Sequence, residues 1–393
     1  MNKRLSYLSL LFLFLFTTPC LAANRYWVGG TASWDGTANS EWSTSSGGAG
    51  GSAEPTAADD VFLDAASGAV TVTVATGTAV CRSLNMTGYT GTWASSGAAI
   101  SIGDGTAGNY TLASGMTYSF GNSTNFISTT GTNLLTFNGK TITNAIIFNG
   151  VGGTWQFQDA FANNLKNVTV TNGTLDTNGM SVTSRAITMG GGTLTLGAST
   201  VTLGANEGDI TALVGITGGT LTANTSTIII LDTGTNAKEF VGGGKAFNNL
   251  TLNSGGAGAL TMTGANTFAT VTIGAGRNVI FPAATTQTVT SFVGSGTAGN
   301  QVVITSSTGG SAATLSDSAG TNTCTQCNLT DSTAAGGATW NCLDCTEGTG
   351  NSGWNFITSG PANVKTINST VKASVKTING TAIASVKTLN GTA

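Results

Sequence analysis

GTLTLGASTVTL, residues 192–203, returns as GTLTANTSTIII at residues 219–230, and a looser copy, GTLDTNGMSVTS, begins at Gly173. Within each copy, aliphatic and threonine residues alternate, which puts one set on each side of an extended strand. The copies span more than one strand and recur at intervals of about 19 to 27 residues, the signature of a solenoid whose coils stack on one another. A single coil cannot bury its own apolar side, so stacking is what gives the chain a core.

The same pattern runs outward from this stretch, from about Ala66 to Phe292, as in Val70-Thr71-Val72-Thr73-Val74. Gly and Asn punctuate it, and both accept positive φ at corners. A helical fold is opposed by the threonine and glycine content. A β-sandwich is the competing all-β architecture, with strands every 8 to 12 residues. The fold class expected is therefore an all-β, single-stranded parallel β-helix (β-solenoid) with caps at both ends. Coils of about 22 residues would make about ten turns and a rod roughly 50 Å long. Leu194, Leu196, Val201 and Leu203 should stack inside over Leu221, Ile228 and Ile230.

Composition narrows the chemistry. The chain has 393 residues, 57 of them glycine, with no histidine, 8% charged residues and a formal net charge of −3. No basic stripe exists for phosphates, so nucleic acid is not an expected partner. Lys3 and Arg4 precede an apolar run from Leu8 to Phe16, and Cys20-Leu21-Ala22 offers small residues at a cleavage site. Residues 1–22 thus read as a secretory signal, too short in its apolar core to span a bilayer. The expected location is secreted or on the cell surface, with the periplasm as the other possibility.

The unusual residues sit at the ends. Residues 23–65 gather Trp27, Trp34 and Trp42, which read as a cap over the first coil or as a platform for stacking on sugar rings. Asp59 and Asp60 could join Glu54 around calcium, or lie in a solvated turn. Residues 66–300 form the coils, and residues 301–357 the last coils and a second cap. That cap holds Cys324-Thr-Gln-Cys327 and Cys342-Leu-Asp-Cys345. In the cytosol such spacing points to zinc; in an exported chain it points to disulfides, with three connectivities open. Cys81 reads as a small core residue. Residues 358–393 repeat VKTINSTVKAS, VKTINGTAIAS and VKTLNGTA with a period of 11, as short strands and turns or as a flexible tail.

RYWVGGTASWDGTANSEWS, PTAADDVFLDAASG, TFNGKTITNAIIFNGVGGTWQFQDA, and the closing SGTAGNQVVITSSTGGSAATLSDSAG, LTDSTAAGGATWN and NSGWNF resemble a family of bacterial and tailed-phage β-strand-repeat proteins. The resemblance covers about residues 24–357. It implies a right-handed parallel β-helix of surface or fibre type, often without assigned activity, and carries no catalytic residues. The signal favours the bacterial cell-surface branch. The expected function is an exported, non-enzymatic adhesin, fibre or spacer that meets cell-surface glycans or envelope components. The alternative is a β-helical polysaccharide lyase or hydrolase, for which Asp159, Asp176, Arg185, Glu207, Asp209, Asp232, Lys238 and Glu239 are the available groups, with Glu207 and Asp209 the closest carboxylate pair. A membrane-barrel autotransporter is not expected, since no segment after Phe356 is long enough for one.

Overall fold

The computed structural model describes residues 22–359 apart from 37–39, 76–78, 106–107, 205–211, 232–233 and 254–257, together with four two-residue strands between 366 and 382. The expected signal, the Glu207 and Asp209 pair, Asp232 and the tail lysines fall outside the described residues. The chain winds into a parallel β-solenoid of about 12 turns. At roughly 4.8 Å per coil this makes a rod on the order of 60 Å long.

Each coil contributes three short strands, so three parallel sheets run the length of the rod. One coil, for example, supplies Thr193–Thr195, Thr200–Leu203 and Ala212–Ile216 to the first, second and third faces. Thr193 and Leu194 lie over Thr220 and Leu221, and Val201 and Leu203 over Ile228 and Ile230, so the 27-residue sequence repeat is one turn of the rod. The looser copy sits one coil earlier, with Thr174 and Leu175 under Thr193 and Leu194. Other turns are shorter: Leu250 follows Ile228 by 22 residues and precedes Val271 by 21.

Alternation does what the sequence predicts. Leu194, Leu196, Val201, Leu203, Ile228 and Ile230 are buried, and the half-buried Leu221 packs against them. Corners that must turn the strand by a left-handed residue use asparagine: Asn138, Asn178 and Asn224 have φ of 49°, 53° and 48°. Asn138 and Asn178 also tie back to the preceding coil, donating to the Leu112 and Phe157 carbonyls at 2.7 and 3.1 Å. Buried polar side chains pin other corners. Arg277, 1% exposed, donates to the Asn253 carbonyl at 3.1 Å and to the Ile230 carbonyl at 3.4 Å, reaching back across two coils.

The first coil is closed by a strand that runs the other way. Asn24–Trp27 pairs parallel with Asp60–Phe62 on one side and antiparallel with Trp42–Ser43 on the other. An antiparallel strand laid on that edge occupies hydrogen-bonding groups that would otherwise recruit another chain. Beneath it, Trp27 and Trp34 meet Trp42 edge-on at 5.1 and 5.0 Å, and the aromatic stack continues through Trp93 to Phe120. At the other end Trp340 and Trp354 pack edge-on at 5.1 Å beside Phe292. In the tail, Thr366–Ile367 pairs antiparallel with Thr370–Val371, and Thr377–Ile378 with Thr381–Ala382, 11 residues on. This matches strands and turns at the sequence period. Among the described residues no helix is long and apolar enough to cross a membrane.

Candidate functional site

The first of the sequence-predicted sites is overturned by burial. Trp27, Trp34 and Trp42 are 0%, 1% and 0% exposed. A ring with no free face cannot stack on a sugar, so these three belong to the core of the first coils and not to a glycan platform. Their indole area is what seals the starting end.

The calcium reading also fails at the residue level. Asp59 points inward and accepts from the backbone N–H of Ala23 and Thr56 and from the Thr56 hydroxyl, each at 2.9 Å, with Arg25 Nε 3.9 Å away. Asp60 is held by Arg82 and the Ser83 hydroxyl. Burial would raise its carboxyl, but these hydrogen bonds and the Arg82 charge outweigh that and hold it below the ordinary range. Glu54 instead accepts from Gly36 N–H at 2.8 Å. Each carboxylate already has its own donors, and no shared oxygen cage exists. Among the described residues no group of three or more His, Cys, Asp or Glu side chains is arranged to hold a metal ion.

The groups expected for a polysaccharide-cleaving site are likewise dispersed into structural roles. Asp159 accepts from the Phe137 and Asn138 N–H groups across a corner. Asp176 accepts from Gln156 Nε2 at 3.0 Å and from Asn178 N–H at 2.8 Å, while Arg185 donates to Asn167 Oδ1 at 3.2 Å. Lys238 is buried in its strand, and Glu239 lies in register between Ala212 and Thr261. A depression of about 330 Å³ lies beside Thr87–Thr90, Leu112–Gly115 and Asn138, and another of about 510 Å³ beside Gly276, Ala298–Gln301, Val303 and Gln326. Neither is lined by a carboxylate, lysine or arginine.

The cysteines, by contrast, are brought together. Cys324 ends a strand on the second face, and Cys342 lies directly opposite it on the next coil. Gln326 and Asp344 turn the two corners with φ of 51° and 52°. Cys327 and Cys345 then open the third face, one step before the Asn328–Thr346 pair. The two CxxC corners are therefore stacked in register, because their 18-residue separation is one turn of this part of the rod. Each sulfur is within hydrogen-bonding reach of two others, making a ring Cys324, Cys327, Cys345, Cys342. No bridge joins them; all four are free thiols, as is the buried Cys81, whose thiol is raised by burial and then by Asp60 and Asp59.

The four sulfurs are not equivalent. Cys324, Cys327 and Cys342 are fully buried, whereas Cys345 is partly exposed. Cys345 as a thiol reaches the Leu343 and Cys324 carbonyls at 3.5 and 3.6 Å. As a thiolate it gains three donors: the Cys327 and Cys342 thiols and the Cys327 backbone N–H, at 3.3 Å. Those donors prevail over burial and the nearby Asp344 charge, and hold Cys345 at about 4. The other three thiols are raised: neighbouring cysteines lead for Cys324, while for Cys327 and Cys342 the bond to Cys324 opposes a larger rise from Cys345 and burial.

Sequence reading missed the floor of this corner. Gly294 lies opposite Cys324 on the preceding coil, and a Cβ there would stand 2.5 Å from Cys324 Sγ and 3.2 Å from Cys327 Sγ. The glycine makes room for the ring. Its 30-residue distance from Cys324 exceeds the other turns, so no repeat spacing marks it. The chain matches no family model, no curated protein and no solved structure, and the likeness to β-strand-repeat proteins therefore stands on the β-solenoid fold alone.

Proposed function

We propose that this chain is an exported, non-enzymatic β-solenoid of the bacterial cell surface, a stiff spacer whose outer faces adhere to glycans or other envelope components. The observation that carries the reading is the outer hydroxyl ladder. Thr132, Thr154, Thr174, Thr193 and Thr220 follow one another in register up the first face, each exposed or half-exposed. A second run places Thr286, Thr314 and Thr333 in one column. Repeating hydroxyls at roughly 4.8 Å on a charge-poor surface match the repeating hydroxyls of a polysaccharide chain better than any single small ligand. Export is supported by the amino-terminal sequence, and the absence of a role in catalysis by the structural engagement of Asp159, Asp176 and Arg185.

Two measurements test it. Fractionation of the native host with detection on intact cells should find the protein outside. A glycan array with the purified chain should show binding that weakens when Thr174, Thr193 and Thr220 are changed together to Val. Silence across the array and in cell adhesion would remove the adhesive part. Turnover of any polysaccharide in a broad panel would overturn the non-enzymatic part.

A further inference from the structure

We propose that the four-cysteine corner is a thiol–disulfide exchange site that closes into two coil-to-coil bridges, Cys327–Cys345 and Cys324–Cys342, with Cys345 as the sulfur that meets the oxidant. The oxidant is an external disulfide, either a small one or that of a thiol oxidoreductase. The site does not depend on the adhesive reading of the outer faces.

Three observations place the chemistry. First, Cys345 is the one member of the ring with solvent access, and three donors stabilise its thiolate. Second, register selects the partners. Residues directly opposed on neighbouring parallel strands have Cα atoms about 4.8 Å apart, inside the roughly 4.4–6.8 Å window for a disulfide. Cys324 and Cys342 are such a pair, and the N–H of Cys327 already faces Cys345 Sγ at 3.3 Å. Third, Gly294 leaves the ring room to rearrange from below.

The steps balance. Cys345 thiolate attacks one sulfur of the external disulfide, forming a mixed disulfide and releasing one external thiolate. Cys327 gives its proton to solvent and displaces the second external thiolate from Cys345. Two protein thiols and one external disulfide have become one protein disulfide and two external thiols. Exchange then moves the bridge inward without further oxidation: Cys342 attacks Cys345 and frees Cys327, and Cys324 attacks Cys342 and frees Cys345. A second external disulfide oxidises the regenerated Cys345 and Cys327 in the same way. Adjacency around the ring is what lets buried sulfurs be oxidised through one exposed one.

The test is thiol trapping of the full chain across a glutathione redox series, followed by peptide mapping without reduction. Cleavage before Asp331 and Asp344 separates Cys324 with Cys327 from Cys342 and from Cys345. Both later fragments should become linked to the first, and Cys345→Ser should slow all bridge formation at least tenfold. The double variant Cys324→Ser/Cys342→Ser should still form one bridge, and Cys324→Ser/Cys345→Ser, which leaves a diagonal pair, should form none. Unchanged circular dichroism of the variants separates lost chemistry from lost fold. A link between the Cys342 and Cys345 fragments, a Cys345→Ser variant that oxidises at the normal rate, or four unreactive thiols with stoichiometric bound zinc would each overturn the proposal.

Discussion

Cys345 carries the sharpest single-residue expectation. An ordinary cysteine thiol ionises near 8.5, so alkylation slows about tenfold for each pH unit below that. Cys345, held at about 4 by the Cys327 and Cys342 thiols, stays ionised through that range. Its folded value lies below its unfolded one, so ionisation favours the folded chain above the unfolded value, and this contribution is lost as pH falls toward 4. Iodoacetamide labelling of the reduced protein, read by mass spectrometry, should modify Cys345 at a rate nearly flat from pH 8 to pH 5. Cys324, Cys327 and Cys342 should stay unlabelled until the chain unfolds. A Cys345 rate that falls tenfold between pH 7 and pH 6 would contradict the assignment.

At the scale of elements, the strand Trp42–Ser43 is the part whose loss matters beyond its size. Trp42→Ala should cost about 3–5 kcal/mol, the usual range for emptying a buried aromatic site. It should also leave the strand Asn24–Trp27 with a free edge, so light scattering on mild heating should rise along with the fall in denaturant midpoint. Thr193→Ala, on the outer ladder, should change stability by less than about 0.5 kcal/mol. Much of the element pattern was legible in the sequence. The pairing of Leu194 with Leu221 follows from aligning two stretches by eye, because a solenoid repeats its own inner surface. The asparagine corners were legible for the same reason, since positive φ is a local demand. The two CxxC corners could be matched because their separation equals one turn. What sequence could not show depends on partners a coil away. Asp159 reads as a free carboxylate until the N–H groups of Phe137 and Asn138 are seen to reach it. Trp34 reads as a sugar platform until Trp42 and Trp93 cover it.

For the whole molecule, each coil chiefly touches the ones above and below, so stability adds approximately coil by coil. Deleting residues 193–219 should set Thr220 where Thr193 stood and leave a folded rod about 4.8 Å shorter. Small-angle scattering and circular dichroism would measure both properties. Deleting only residues 193–205 should break the register of all three faces, since a shift that is not a whole turn sends inward residues outward. A compact, cooperatively unfolding product from the shorter deletion would contradict the coil-by-coil picture.

The parallel stacking has a mechanical meaning. Backbone hydrogen bonds between coils run along the rod, so a pull on its two ends loads them in line and opens the stack one turn at a time. Each released turn of about 20 residues pays out on the order of 60 Å of slack chain. A tether built this way yields by stepwise lengthening under load instead of snapping, and it can rewind when the load is removed.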